Sequence, residues 1–393
     1  MGVKSLDDLL AEGVHGQRVF VRSDLNVPLR DRAITDDSRL RASLPTLRRL
    51  REAGARVIVS SHLGRPNGQR VSALSLRLVA ARLAELLDTG VAFCEECVGE
   101  RAHFAIGELG DGQLLLLENL RFYAGEERND PDFSKALAAL ADIYVNDAFG
   151  TAHRAHASTA GMAAHFNRVA AGDLMGSELR HLLVIREPIR PLLVILGGAK
   201  VSDKLSVLEA LAPHADVLAI GGAMAYTFIA ANAGTTGNSL VESDRFGDAL
   251  AVQRAARDAE RRLLLPSDHL VADRPEADAP TRVVAEIPQG ALGLDIGPET
   301  ASRYASEAAI AKTIFWNGPM GVFEIEAFAA GTRTVAAAVA DSPATSVVGG
   351  GDSLAAIHQL GLGNRIDHLS TGGGASLEYV QGLTLPGVAA LER

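Results

Sequence analysis

The chain has 393 residues, 47% hydrophobic and 22% charged, which at about 150 residues per domain points to two or three globular domains and excludes a single small module or a disordered chain. Acidic residues outnumber basic ones, 48 to 38, for a formal charge of −10, so no global positive field exists to hold nucleic acid by counterion release. Apolar runs such as Val335 to Ala340 fall far short of the roughly 20 residues that span a bilayer, and the N-terminus carries no signal-peptide apolar core, so a cytoplasmic protein is expected.

Along the chain, β-rich apolar runs alternate with amphipathic helical stretches, the α/β pattern of parallel sheets flanked by helices. In the first half the runs predict strands over Arg18 to Arg22, Arg56 to Ser60, Gln113 to Leu117 and Asp142 to Val145. Leu40, Leu44, Leu47 and Leu50 follow helical spacing, with Gly54 where a C-terminal cap belongs. Residues Ala171 to Pro191 read as a helix through Glu178 and Leu182 that stops before Pro188 and Pro191, and this is the best domain boundary and hinge. In the second half, strands are expected over Leu192 to Leu196, Val217 to Ile220, Thr313 to Trp316, Thr345 to Val348 and His368 to Ser370. One continuous sheet of nine strands is the alternative, but chains of this length more often split into separate cores. The predicted divisions are 1–170, a connecting helix 171–190, 191–375, and a tail 376–393. No fixed-period repeat is visible, which excludes a solenoid.

Ligands of open α/β sheets bind beyond the carboxyl ends of the strands, and the two halves differ there. The first half delivers Asp24 and Asn26, then His62 and Arg65, then Arg121, then Arg154, with Arg39 in the first turn of a helix. A cation at that position opposes the helix dipole, and a bound anion compensates it. Each arginine taken singly is explained by solvation or a neighbouring carboxylate. Polar groups at four successive strand ends instead describe a basic basin for a small molecule with several negative charges.

The second half delivers glycine turns: GGAKVSDK at 197–204, GGAMAYT at 221–227, NGPMGVFE at 317–324, GGGDS at 349–353 and TGGGAS at 371–376. One such turn is as readily a plain tight turn. Five on one domain describe a nucleotide cradle of backbone N–H groups at helix N-termini. Neither a Walker-type P-loop nor G-x-G-x-x-G is present. Only five of the 38 basic residues are lysine, and two of them, Lys200 and Lys204, lie four apart in the first turn, where a compact ammonium differs from a guanidinium fork. Asp352 is either a magnesium ligand or the N-cap of the next helix. Glu324 is either an acceptor for ribose hydroxyls or a solvated surface acid. Cys94 and Cys97 form a lone C-x-x-C, a redox pair or, preferred here, two reduced thiols, since zinc would need two further ligands.

These segments carry a close resemblance. VRSDLNVP (21–28), SHLGRP (61–66), LLENLRFY (116–123), NDAFGTAHRAHAS (146–158), GGAKVSDK, GLDIGP (293–298), WNGPMGVFE (316–324), GGGDS and STGGGAS (370–376) stand in order along a chain that resembles the phosphoglycerate kinases over nearly its whole length. The resemblance implies two Rossmann-like domains joined by a helix, a phosphoglycerate-binding one first and a nucleotide-binding one second, with the tail folding back onto the first. It implies the glycolytic and gluconeogenic reaction, reversible magnesium-dependent phosphoryl transfer from 1,3-bisphosphoglycerate to ADP, and a monomer. By position it assigns Asp24, Leu25, Asn26, Arg39, His62, Leu63, Gly64, Arg65, Arg121 and Arg154 to the phosphoglycerate. It assigns Lys204, Gly221, Gly222, Gly293, Glu324, Gly350, Gly351, Asp352 and Ser353 to the nucleotide, with Asp352 on the magnesium. Arg39, Lys200, Lys204, Gly372 and Gly373 would surround the phosphoryl in direct in-line transfer on domain closure. His62 is expected as a hydrogen-bond donor, not a phosphohistidine. Ala223 departs from the family, many of whose members carry a third glycine there.

Two other readings compete. A two-domain anion-binding regulatory protein without chemistry would not need Asp352 beside both lysines. A nucleotide-sugar glycosyltransferase would not need the basic strand ends of the first half.

Overall fold

The structure is a computed structural model that describes residues 2–392. It divides into two compact units, one formed by residues up to Arg180 together with those from Thr384 onward, the other by His181–Leu383. The division falls inside the helix Asp173–Arg186, which ends before Pro188 as the sequence predicts.

The first unit is built on a six-stranded parallel sheet in the order Val91–Cys94, Leu114–Leu117, Arg56–Ser60, Arg18–Ser23, Ile143–Asp147, Val169–Ala171. Its central strands are Val/Ile/Leu runs because helices cover both faces and no side needs to be polar. Val19, Val21, Val57 and Val145 pack there with Leu40, Leu44, Leu47 and Leu50 of the helix Ser38–Glu52, the leucine stripe read from spacing. Gly54 follows that helix at φ +76°, where a Cβ would meet the His15 ring at 2.5 Å. The final segment belongs to this unit: Gly387 donates its N–H to Ala152 O at 2.8 Å, and Leu391 is buried. The helix Gly374–Val380 stays with the second unit, so the segment that returns begins at Thr384 instead of 376.

The second unit repeats the plan, with parallel strands in the order Arg262–Leu264, Val217–Ile220, Leu192–Leu196, Thr313–Asn317, Thr345–Gly349, His368–Ser370. All five residues of Leu192–Leu196 are buried. The chain moves outward on one side of that strand and returns to Thr313–Asn317 on the other, which makes the carboxyl ends of these two strands a topological switch point. In the first unit the same reversal falls at Arg18–Ser23. A three-stranded antiparallel sheet, Arg282–Val284, His269–Ala272 and Leu292–Ile296, was not among the expected elements. Its strands are short and partly exposed, so they lack the apolar run of a doubly covered strand.

Candidate functional site

In the first unit, the strand ends around the switch point converge. Asp24, at the end of Arg18–Ser23, accepts from Arg39 Nη1 at 2.7 Å, and its other oxygen stands 4.0 Å from His62 Nδ1. Asn26 Oδ1 accepts from the Gly64 N–H at 2.9 Å, and Arg121 Nη1 donates to Gly64 O at 2.8 Å. Three segments are thereby tied into one rim. Arg154 sits on the loop after Ile143–Asp147, close enough that its charge, with that of Arg121, depresses His156 to a pKa of about 4, burial being the larger cause. Arg39 is 40% exposed, and Arg65 is exposed and in no ion pair among the described residues, so both keep donors available to an anion. Leu25 and Leu63 are core residues, 0% and 2% exposed, and offer only backbone: their N–H groups are held by Ser61 Oγ and Asn119 Oδ1.

Arg22 belongs to this network although strand-end reasoning passed over it. It is wholly buried, donates from Nε to Ser158 Oγ at 2.8 Å and faces His62 Nδ1 with Nη2 at 3.3 Å. An arginine can only donate, so Nδ1 accepts and the imidazole proton lies on Nε2. Burial, then Arg22, Arg121 and Arg39, push the His62 pKa well below its usual value, and the ring is a neutral donor. The available signal was an arginine inside an otherwise apolar strand, a position too expensive without a built-in partner.

In the second unit, Lys204 precedes the helix Leu205–Leu211. Its Nζ donates to Asn317 O at 2.7 Å and Asn317 Oδ1 at 2.6 Å, which places it at the switch point. Burial lowers its pKa to about 8, against the opposing pull of Asp352 and Asp203. A cavity of about 210 Å³ opens beside it, lined by glycine-turn backbone and by Ala223, Tyr226, Leu294, Met320, Glu324 and Asp352. Gly198, Gly222 and Gly293 also line it. Lys200, Glu324, Gly351, Asp352 and Gly373 are exposed.

The glycine turns divide into two kinds. The N–H groups of Gly197, Gly198, Gly221 and Gly222 are bound to Asn317 O, Pro319 O, Leu196 O and Met320 O, and a Cβ at Gly222 would meet Gly198 O at 2.5 Å. These glycines let three loops pack back to back, and Gly221 does not line the cavity. Ala223 stands in ordinary right-handed backbone, φ −65°, so its side chain is accommodated without strain. Ser353 is buried with its Oγ accepting from the Gly318 N–H at 2.6 Å, which fixes the loop that carries the cavity wall. At Gly350–Ser353 the helix Gly351–Gln359 begins, and Gly350 is its N-cap at φ +90°. Asp352, exposed in the first turn of that helix, makes no side-chain hydrogen bond or ion pair with another described residue, so its carboxylate is free. Gly372 and Gly373 precede the helix Gly374–Val380.

Among the described residues no cluster of three metal-ligating side chains exists. One free carboxylate beside a phosphate-sized space fits magnesium, which takes one or two protein carboxylates and otherwise phosphate and water oxygens. Both cysteines are free and buried. Burial raises both thiols, Cys97 far above its usual range with its Sγ on Glu118 O, which makes them inert.

A family model described as phosphoglycerate kinase matches residues 6–383. The chain belongs to the phosphoglycerate kinase family. A phosphoglycerate kinase of Trichodesmium erythraeum is 48% identical over 396 residues, covering all of both chains. One from an Anaeromyxobacter species is 50% identical over 398 residues, again end to end. Among solved structures, the phosphoglycerate kinase of Coxiella burnetii superposes with a TM-score of 0.92 at 41% identity, covering 99% of this chain and 98% of that one. The kinase of Pyrococcus horikoshii gives 0.82 at 36% identity with the same coverage. The α/β class with two parallel sheets, and the family read from the motifs, both hold. No described helix is long and apolar enough to cross a membrane.

Proposed function

We propose that this phosphoglycerate kinase family member carries out reversible phosphoryl transfer between 1,3-bisphosphoglycerate and ADP, giving 3-phosphoglycerate and ATP, a step of glycolysis and gluconeogenesis. The observation that carries the reading is Lys204: a half-buried ammonium whose hydrogen bonds go to two oxygens of Asn317, in no ion pair among the described residues, beside a cavity of about 210 Å³ lined by glycine turns. A charge left that poorly neutralised is poised for a phosphoryl group.

In this reading Arg39, His62, Arg65, Arg121 and Arg154, with Asp24 and Asn26, hold the phosphoglycerate, while Leu25, Leu63 and Gly64, whose N–H groups are already bound, act by fixing the rim. Gly222, Gly293, Glu324 and the amides of Gly350, Gly351 and Ser353 hold the nucleotide, Gly221 acting through packing. Asp352 would hold magnesium, which neutralises and orients phosphate oxygens when bound. An acyl phosphate has a stable carboxylate leaving group, so transfer needs positioning and charge neutralisation more than acid or base help. Arg39 on one side, Lys200 and Lys204 on the other, and the amides of Gly372 and Gly373 supply that charge. No residue is covalently phosphorylated: His62 keeps its proton on Nε2 and donates it to substrate oxygen.

Donor and acceptor must meet for in-line transfer, so closure about the helix Asp173–Arg186 is part of the proposal, and it excludes water from the acyl phosphate. Compaction in solution scattering with both ligands present is expected; an unchanged radius counts against closure. We further propose a monomer of the cytoplasm, with the two free thiols in keeping with a reducing compartment. An assay with ATP, magnesium and 3-phosphoglycerate tests the whole: ADP forms only when the acid is present. ADP production independent of the acid, or none at all, refutes it and favours a binding protein without chemistry.

A further inference from the structure

A buried guanidinium needs a counter-charge, yet the wholly enclosed Arg22 forms no ion pair among the described residues. Its counter-charge is reached through a serine. Glu126, on the short helix Ala124–Glu127, is also wholly buried. Its Oε1 accepts from Ser158 Oγ at 2.5 Å and its Oε2 from the Ser158 N–H at 3.0 Å. Ser158 Oγ in turn accepts from Arg22 Nε at 2.8 Å. The Ser158 carbonyl is taken by the Tyr144 hydroxyl at 2.7 Å, so main chain and side chain are both fixed.

The direction of this chain of hydrogen bonds is forced. A hydroxyl has one proton, and when Ser158 spends it on Glu126 only lone pairs are left for Arg22. The guanidinium has only donors, and its Nη2 faces His62 Nδ1 at 3.3 Å. From carboxylate to imidazole each proton assignment follows from the one before, and the last leaves the His62 ring proton on Nε2. Glu126 has one other neighbour of interest, His156, whose Nδ1 stands 4.0 Å from Oε1. That is beyond a hydrogen bond, and with burial and nearby arginines holding its pKa at about 4, His156 carries no charge for Glu126 to pair with at neutral pH. The Arg22 charge and the two Ser158 bonds are what favour the ionised carboxylate against burial.

We propose that Glu126 is a positioning residue for the phosphoglycerate site: acting through Ser158, it holds Arg22 against His62 and so keeps the imidazole proton on Nε2, available to the acid substrate. Neither Glu126 nor Ser158 touches that substrate. The inference rests on the phosphoglycerate reading of the basin and adds to it the buried acid that sets the state of its histidine.

Nitrogen-15 NMR of the imidazole rings, with His62 assigned by its loss in His62→Gln, tests this beside steady-state kinetics on the full chain. Wild type should show His62 Nδ1 unprotonated and Nε2 protonated at neutral pH. Ser158→Ala breaks the chain and keeps both charges, so the two nitrogen signals should move toward the average of exchanging tautomers. Its kcat/KM for 3-phosphoglycerate should fall about tenfold or more, the scale for a hydrogen bond to a charged group, while KM for ATP stays within about twofold. Glu126→Gln should show the same split. A wild-type ring with its proton on Nδ1 overturns the proposal even if neither variant folds. Ser158→Ala with wild-type His62 signals, or with kcat/KM for the acid within about twofold of wild type, also overturns it, and any lost stability is then structural only. Equal losses for acid and nucleotide overturn it as well. A wild-type chain with the expected ring signals that turns over no 3-phosphoglycerate defeats the kinase reading instead, because the spectrum does not depend on turnover.

Discussion

Replacing Lys204 by methionine, a side chain of similar reach without the charge, separates what the ammonium does for catalysis from what it costs the fold. Burial lowers the Lys204 pKa from 10.5 to about 8, and at 1.36 kcal/mol per pKa unit the folded chain loses about 3 kcal/mol by keeping the charge at neutral pH. The lysine binds its proton more weakly folded than unfolded, so this cost is felt in full below about pH 8 and is relieved as pH rises from there toward 10.5. Against it stands the loss of a donor to Asn317 O and Oδ1, worth about 1–3 kcal/mol if both are left unsatisfied. Lys204→Met should therefore be as stable as wild type, or up to about 2 kcal/mol more stable at pH 7 by guanidinium unfolding. Its turnover should fall about a hundredfold or more, the scale for one lost transition-state donor. Wild-type kcat/KM for the nucleotide should decline as pH rises through about 8, because the neutral amine no longer attracts phosphate. Turnover within tenfold of wild type, or a variant more than about 2 kcal/mol less stable, would refute the reasoning.

Arg154→Ala should raise KM for 3-phosphoglycerate at least about tenfold, since a charge-assisted hydrogen bond is worth about 1.5–3 kcal/mol, and leave the melting temperature within a degree or two; unchanged substrate affinity removes Arg154 from the basin. Gly222→Ala places a side chain at φ +66° and against Gly198 O, so nucleotide affinity and thermal stability should fall together, and a variant with both intact would show that the loops have slack. Asp147 is wholly buried beside Gly172, receives the N–H groups of Leu174 and Met175, and has its pKa raised by burial to about 7. The folded state holds that proton more tightly than the unfolded state, so stability should drop by up to about 4 kcal/mol as pH climbs from 4 to 7. Asp147→Asn should lose that slope in urea unfolding at pH 5 and 8, whereas equal slopes for both proteins would show that the carboxyl titrates normally.

Legibility followed burial. Strands covered on both faces, Arg56–Ser60 and Leu192–Leu196 among them, announce themselves as apolar runs because no residue in them needs to be polar, and their bounds match the reading. Val91–Cys94 and Arg262–Leu264 lie at sheet edges and are short and only partly buried, so composition does not separate them from loops. At the site, strand ends identified Asp24, His62 and Arg121 because parallel topology forces those positions into one crevice. Arg22 escaped, since a strand-interior arginine is read as outward-facing unless its partners, Ser158 and His62, are known to lie 136 and 40 residues away. The glycine turns were legible as turns, yet not by role: whether an N–H meets a phosphate or a neighbouring loop depends on packing, which local sequence does not encode.

The chain's near-exclusive use of arginine sharpens the meaning of its exceptions. At the rim of the first unit's site, in front of the buried Arg22, the cations bind where part of the guanidinium reaches solvent or a carboxylate: Arg39 on Asp24, Arg121 beside Glu127 at 3.2 Å. A planar fork suits that role, since one edge is anchored while the other is offered to substrate. At 204 the cation must enter a pocket between the backbone and side-chain oxygens of a single residue, Asn317, so close to Gly318 that a Cβ added there would lie 2.6 Å from its Nζ. A guanidinium is too broad for that space and holds its five donors in a fixed plane, so Lys204→Arg should disrupt the loop although charge is conserved. The same compactness makes the ammonium costly to bury and easy to redirect: its two contacts are to neutral oxygens, which a phosphoryl group outcompetes electrostatically. On the reading proposed above, Lys204 is a charge held loosely enough to follow the transferring phosphoryl group.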